Sequence, residues 1–351
     1  MSFRRFVYLA SANGANRTNS LRRIDMSSLF RPTPPRQIVD TPAAIEDAPL
    51  PEPILSFYPP HKLELDGTMY FFLLKNGGEG KVIAADHKGR SVLYDLGLHA
   101  IRAMPSMKAP KCMPISLTIR NSLYVLDQIP SLPDGRNKQS FEVLTFRQPR
   151  YDYCDWRWRS LEVPPFVSEL TCGPSSHIQS YAVVAGSNIC ISTSSLGTYS
   201  FDTKKRVWTK SGDWALPFSG LAEYVPEHKL WFGMSLDKGR TFCATDLADA
   251  TVVTPPGVHT AWEDATPPIE GDLILSYAVH LGRGKFCIVR FFEVGTCERL
   301  LMDYDTVETI VVFTGVEVER CGEVLHAVQH KSQRRWMHLK RARQIPPASK
   351  P

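Results

Sequence analysis

His326 and His330 stand four residues apart in HAVQH, the spacing with which two imidazoles on one helix face hold a metal ion. The surrounding VLHAVQHKS alternates as a strand does, however. On a strand the two rings share a face but lie ~13 Å apart, too far for one ion. Both are therefore read as strand residues, and no metal is expected. The eight cysteines, Cys112, Cys154, Cys172, Cys190, Cys243, Cys287, Cys297 and Cys321, include no C-x-x-C pair. Cys190 and Cys287 fall inside the apolar runs NICIST and KFCIVRF, where a thiol packs as a small apolar group. Reduced core thiols of this kind suit a cytosolic or nuclear protein. The chain has no G-x-S-x-G, P-loop or H-E-x-x-H. No catalytic residue and no cofactor is assigned.

Three segments carry binding chemistry instead. Residues 32–60 hold nine prolines, and Pro32 and Pro35 form a P-x-x-P between Arg31 and Arg36, the pattern of a polyproline ligand. The plainer reading is a long extended connection lying over the fold. Residues 331–351 hold seven Lys and Arg and no acid; the whole chain is +5, so the rest sums to −2. That segment reads as a flexible basic tail, with a nuclear address or phosphate contact as the functional alternative. The N-terminal 24 residues carry five arginines and no acid, like an organelle transit peptide, although RFVYLAS suits a strand at least as well. Asn16-Arg17-Thr18 matches a glycosylation acceptor, read as chance without a secretory signal. No apolar run approaches the ~18 residues of a membrane span.

The elements that must position such residues are strands. In GTYSFDTKKRVWTKSGDWALPF, Gly197–Asp202 reads as a strand with Tyr199 and Phe201 on one face. Residues 202–205 form a polar turn, and Val207 and Trp208 open the next strand. With YAVVAG and NICIST, joined through Gly186-Ser187, this makes a four-stranded antiparallel meander. Looser copies run over 69–105, with Tyr94 in its third strand and Ile101 at the tryptophan position, over 115–161, and over 221–264. Trp158, Trp208 and Trp262 are spaced by 50 and 54 residues. A fifth copy opens with ILSYAVH and KFCIVRFFEV. Four-stranded repeats of this length are the mark of a β-propeller, in which each meander buries both faces against its neighbours. Tyr94, Trp158, Tyr199, Trp208 and Trp262 are accordingly expected to pack blade against blade. Two strands left at each end would join as a composite blade that closes the ring. The expected count is six blades, with seven as the alternative.

The order tyrosine, aspartate, polar turn, tryptophan in YSFDTKKRVW resembles the kelch motif, with single Gly186 where kelch repeats carry a double glycine. SLRRIDMSSLF, AEYVPEHKLWFGMS, HLGRGKFCIVRFFE and TGVEVERC extend the likeness over nearly the whole chain. Together they resemble a family of uncharacterised kelch-like proteins expanded in grasses, of galactose-oxidase-central-domain type. The resemblance implies a propeller domain of unknown function over 1–330, with 32–60 a proline-rich loop within it. Clear repeats without a catalytic constellation point to a monomeric, non-enzymatic module that binds another protein, rather than a membrane, through loops on one end of the ring, with nucleic acid reached only through the basic tail. The competing expectation is a propeller enzyme or carbohydrate-binding protein with a site at the central channel.

Overall fold

A computed structural model describes residues 3–13, 18–31, 44–58, 68–75, 80–130, 140–147, 155–169, 176–236, 241–248, 254–263, 269, 271–294, 308–322 and 324–338. Pro32 and Pro35, and Asn16-Arg17, lie outside the described residues. The described chain is nearly all strand. It divides into two compact units, where the sequence suggests one domain: Met1–Gly67 with Val225–Thr245 and Val258–Pro351, and Thr68–Tyr224 with Asp246–Gly257.

In the first unit the N-terminal strands are β1 (Phe6–Asn13), β2 (Thr18–Asp25), β3 (Ile45–Asp47) and β4 (Leu55–Phe57). The second unit holds β5 (Met69–Leu74), β6 (Lys81–Asp86), β7 (Ser91–Asp95) and β8 (Ala100–Met104), an antiparallel meander in chain order. Strands β9 (Pro114–Ile119), β10 (Ser122–Asp127), β11 (Phe141–Arg147) and β12 (Asp155–Ser160) repeat it. So do β13 (Ile178–Val184), β14 (Asn188–Thr193), β15 (Gly197–Asp202) and β16 (Val207–Gly212). These are the blade units of a β-propeller, at the positions the repeat predicts. A further strand, β17 (Phe218–Val225), runs parallel to β13 with Tyr181 opposite Leu221. Buried Ser180 ties the two together through hydrogen bonds to the Leu216 and Phe218 carbonyls.

The alternation of strand side chains explains why each blade needs another. Along β10, Leu123 and Val125 join Ile83, Leu93 and Trp158 in one core. The intervening Tyr124 and Leu126 join Phe141, Ile191 and Phe201 in the next. One strand thus feeds two cores, so neither face of the meander is left to water. Turn chemistry repeats as well. Asp95 accepts the Gly97 and Leu98 amides, and Asp202 accepts those of Lys204 and Lys205. Each turn ends on a left-handed residue, His99 or Arg206. The β13–β14 hairpin centres on Ala185 and Gly186, both with positive φ, one residue earlier than the sequence suggests.

The first unit continues with β18 (Leu230–Ser235), β19 (Thr241–Thr245) and β20 (Val258–Glu263), in antiparallel order. It ends with β21 (Asp272–Gly282), β22 (Lys285–Val294), β23 (Glu308–Cys321) and β24 (Val324–His338). Here the composite blade is corrected. ETIVVFTGVEV and VLHAVQHKS are the third and fourth strands of the fifth meander, in the order β21-β22-β23-β24. RFVYLAS and SLRRIDM pair with each other, and β4 from the proline-rich segment completes their separate three-stranded sheet. That sheet and the 3-10 turn Ser27–Leu29 place Leu9, Ile24, Met26 and Leu29 face to face with Cys287, Val289, Val311 and Phe313. Gly315 permits the close approach, since a Cβ there would stand 3.1 Å from the Leu29 carbonyl oxygen.

The basic tail is corrected over 331–338, while 339–351 lie outside the described residues. Residues 331–338 belong to β24, and β3 adds to its outer edge in parallel register. Among the described residues no helix is long and apolar enough to cross a membrane.

Candidate functional site

Ser91, Asp95 and Trp158 fix one surface of the second unit, the outer strand β8 and the connection that follows it. Lys81 reaches Asp95 at the foot of the β7–β8 turn. Pro105, just past β8, accepts hydrogen bonds from Ser91 Oγ and Trp158 Nε1, both 3.0 Å. Beyond it the chain passes over a buried ion pair, Lys111 with Glu142, whose side chains are 1% and 0% exposed. Glu142 Oε2 accepts the Lys108 amide at 2.8 Å and Oε1 the Ala109 amide at 3.2 Å. Lys111 Nζ also donates to the Ala109 carbonyl at 3.0 Å. One carboxylate thus folds the connection over itself.

Asp127 borders the same cluster. Burial pushes its carboxyl up to about 6, against the pull of the Cys112 amide, 2.9 Å from Oδ1, and of the Lys111 charge. A raised folded pKa means the fold favours the protonated form. The resulting stability is complete below the unfolded value near 3.9 and is lost as pH rises through about 6. Asp127→Asn keeps an acceptor for the Cys112 amide. It is expected to raise the unfolding midpoint at pH 8 and leave it nearly unchanged at pH 4; equal shifts at both values would refute the assignment.

On this support β8 presents an apolar edge. Ala100, Ile101, Arg102 and Ala103 are all exposed, Ile101 by 57%, and Leu98 in the preceding turn by 76%. Arg102, the strand's one charge, is 3.0 Å from Asp155. Lys111 and Glu142 were not singled out in the sequence. The available signal was a glutamate among FEVLTF, a run otherwise destined for burial on both faces.

The repeat residues separate by environment. Trp158 is 3% exposed, and Trp208, expected to be buried, is only partly so, packed against its core from the edge. Both indoles reach back into the connection after the preceding blade, Trp158 to Pro105 and Trp208 to the Glu162 carbonyl at 2.8 Å. Trp208 also lies 5.8 Å from Phe141 of that blade and 5.0 Å from Phe201 of its own. Trp158→Ala is expected to cost about 3–5 kcal/mol and Trp208→Ala about 2–3. Thermal melts showing the reverse order would contradict this difference in burial. Tyr94 is opposite Ile101 as Phe201 is opposite Trp208, so Tyr94 is the counterpart of Phe201 and not of Tyr199. Its hydroxyl lies 3.1 Å from His99 Nδ1. Tyr199 packs on Phe166 at 5.2 Å. In the first unit Trp262 lies under the Arg290 guanidinium at 5.1 Å.

The histidines of HAVQH do not share a site. His326 is exposed, while His330, 1% exposed, accepts the Arg31 amide at Nδ1 and faces Glu317 through Nε2 at 3.0 Å. An accepting Nδ1 places the neutral ring's proton on Nε2, donating to Glu317. A bulge in β24 at this point breaks the alternation the sequence implied. Among the described residues no group of three or more His, Cys, Asp or Glu could hold a metal.

The architecture is that of an all-β protein built from β-propeller blades. Within that class the chain belongs to a family described as "Protein of unknown function (DUF1668)", whose model matches residues 4–336. No curated protein matches. Among solved structures, the Cps50 (Swd1) β-propeller domain of Myceliophteria thermophila is 9% identical, with 89% of this chain and 96% of that one covered and a TM-score of 0.40. The N-terminal domain of Nup159 is 11% identical, with 99% and 79% covered and a TM-score of 0.30. The dihydro-heme d1 dehydrogenase NirN is 10% identical, with 97% and 78% covered and a TM-score of 0.33. Similarities this low add nothing to what the sheets themselves show.

Proposed function

We propose that the protein is a protein-interaction module with kelch-type repeats, which takes its partner against the edge of β8. The supporting observation is the contrast among outer strands of the second unit. β12 exposes Asp155, Arg157 and Arg159, charges that discourage pairing with another chain. β8 exposes Ala100, Ile101 and Ala103 beside Leu98, and its single arginine is drawn to Asp155. Its support is rigid, because Pro105 and the Lys111–Glu142 pair fix the connection that leaves it. An exposed apolar edge on a fixed support is a surface to be covered.

The test compares the wild-type chain with Leu98→Glu/Ile101→Glu, both confirmed as folded by thermal melt, in affinity capture from native tissue followed by mass spectrometry. A partner retained by the wild type and lost by the variant is expected. An identical set of captured proteins, or none from either, would refute the reading.

A further inference from the structure

A second surface, on the first unit, has a recognisable chemistry. Strand β3 is three residues long and lies on the outer edge of β24, with Ser332, Gln333 and Arg334 opposite Ile45, Glu46 and Asp47. The Ala48 amide continues the ladder to the Arg334 carbonyl at 2.9 Å. The side-chain contacts are ion pairs across the ladder, with the acids on β3 and the cations on β24. Lys331 Nζ is 2.9 Å from Glu46 Oε1. Arg334 grips Asp47 with both arms of its guanidinium, Nε to Oδ1 at 2.7 Å and the terminal nitrogen to Oδ2 at 2.8 Å. Arg335, buried against Phe313, donates to the Pro49 carbonyl. The hydrogen bonds from Arg334, with its charge, hold the Asp47 carboxyl below its usual range.

The occupant itself is held lightly. Glu46 and Asp47 side chains remain 49% and 63% exposed, and Ala44 and Pro49 are exposed as well. Exposed ion pairs are weak and screened by salt, and three residues of ladder form a minimal strand. β24 thus presents a backbone edge flanked by Lys331, Arg334 and Arg335. That edge reads two adjacent carboxylates followed by a carbonyl two residues on.

We infer that the outer edge of β24 is a strand-addition site for an acidic, extended segment of a partner protein, closed in the free chain by residues 44–49 acting as an internal stand-in. Main-chain bonds would supply the attachment and the three cations the selectivity, the division of labour in β-augmentation. The site belongs to the first unit and β8 to the second, and no residue is shared, so the fate of that reading does not decide this one.

The test uses the full chain and a fluorescent peptide of residues 44–53. Glu46→Ser/Asp47→Ser, which weakens the stand-in, is expected to bind the peptide about tenfold more tightly than the wild type, as relief from an occupied state requires. Added salt should weaken this binding. It should also disappear with a peptide carrying Gln and Asn in place of its acids, and with Arg334→Glu added to the variant. Hydrogen exchange on the wild type gives a reading independent of any variant's folding: the amides of 45–48 should exchange well before those of 310–313 in β23. Equal peptide affinity for wild type and variant, indifference to Arg334→Glu, or protection of 45–48 equal to that of β23 would each overturn the inference. So would a strand-exchanged dimer of the wild-type chain in light scattering, since the occupant would then be a second copy.

Discussion

Glu142→Ala is expected to cost the second unit about 3–5 kcal/mol, the penalty of stranding a buried charge. It removes the carboxylate that Lys111 Nζ faces in the core and strips the Lys108 and Ala109 amides of their acceptor. Lys111→Met should cost less, because Glu142 keeps both amides. Combining it with Glu142→Leu should recover part of the loss, since an apolar pair removes both charges together. The remaining deficit is that of two unbonded amides, about 1–3 kcal/mol each where water cannot reach them. Chemical denaturation of the three variants reads this order directly. Single substitutions costing under about 1 kcal/mol would place the pair in solvent rather than in the core.

Deleting residues 1–31 is expected to abolish cooperative unfolding of the first unit and drive the chain to aggregate. Leu9, Ile24, Met26 and Leu29 are each at most 6% exposed, and together they cover Cys287, Val289, Val311 and Phe313. At about 1.5–3 kcal/mol for each buried side chain, their loss matches the net stability of a typical domain. What is uncovered is a sheet face, not the edge implied by a composite blade. Aggregation should therefore follow dye binding to exposed apolar surface. A truncated chain that stays monomeric and melts as before would show that the N-terminal sheet is dispensable.

The blades of the second unit were legible because their signals are local. A period-two apolar pattern, an aspartate before the last turn of two of the blades and a residue or glycine able to take positive φ all act within a dozen positions of one another. Asp95 and Asp202 show this, each binding two amides of its own turn. The ends of the chain were misread because their partners are distant. KSQRRWMH looks like a solvated tail until Glu46 and Asp47, some 285 residues away, pair with Lys331 and Arg334. SLRRIDM looked like a strand in want of the C-terminus because its second partner, Leu55–Phe57, sits in a proline-rich stretch with little strand signal of its own. Of the β8 surface only the strand was legible. Leu98 and Ile101 resemble core residues in composition, and only the position of β8 at the edge of its sheet exposes them. The buried pair needed a lysine and a glutamate from different strands and connections to meet, which no local pattern specifies.

The two tryptophans that reach backward set a direction on the ribosome. Trp158 closes on Pro105, 53 residues earlier, and Trp208 on Glu162, 46 residues earlier. Each contact joins a newly emerged strand to a blade already synthesised, so these blades can lock one after another while translation continues. The first unit has no such option. Its N-terminal sheet must wait for Val311, Phe313 and Met337, and β3 must wait for Arg334. Until those residues leave the exit tunnel, Leu9, Ile24 and Leu29 remain uncovered on the nascent chain. That interval, from the emergence of Leu9 to that of Met337, is when a chaperone would have most to hold.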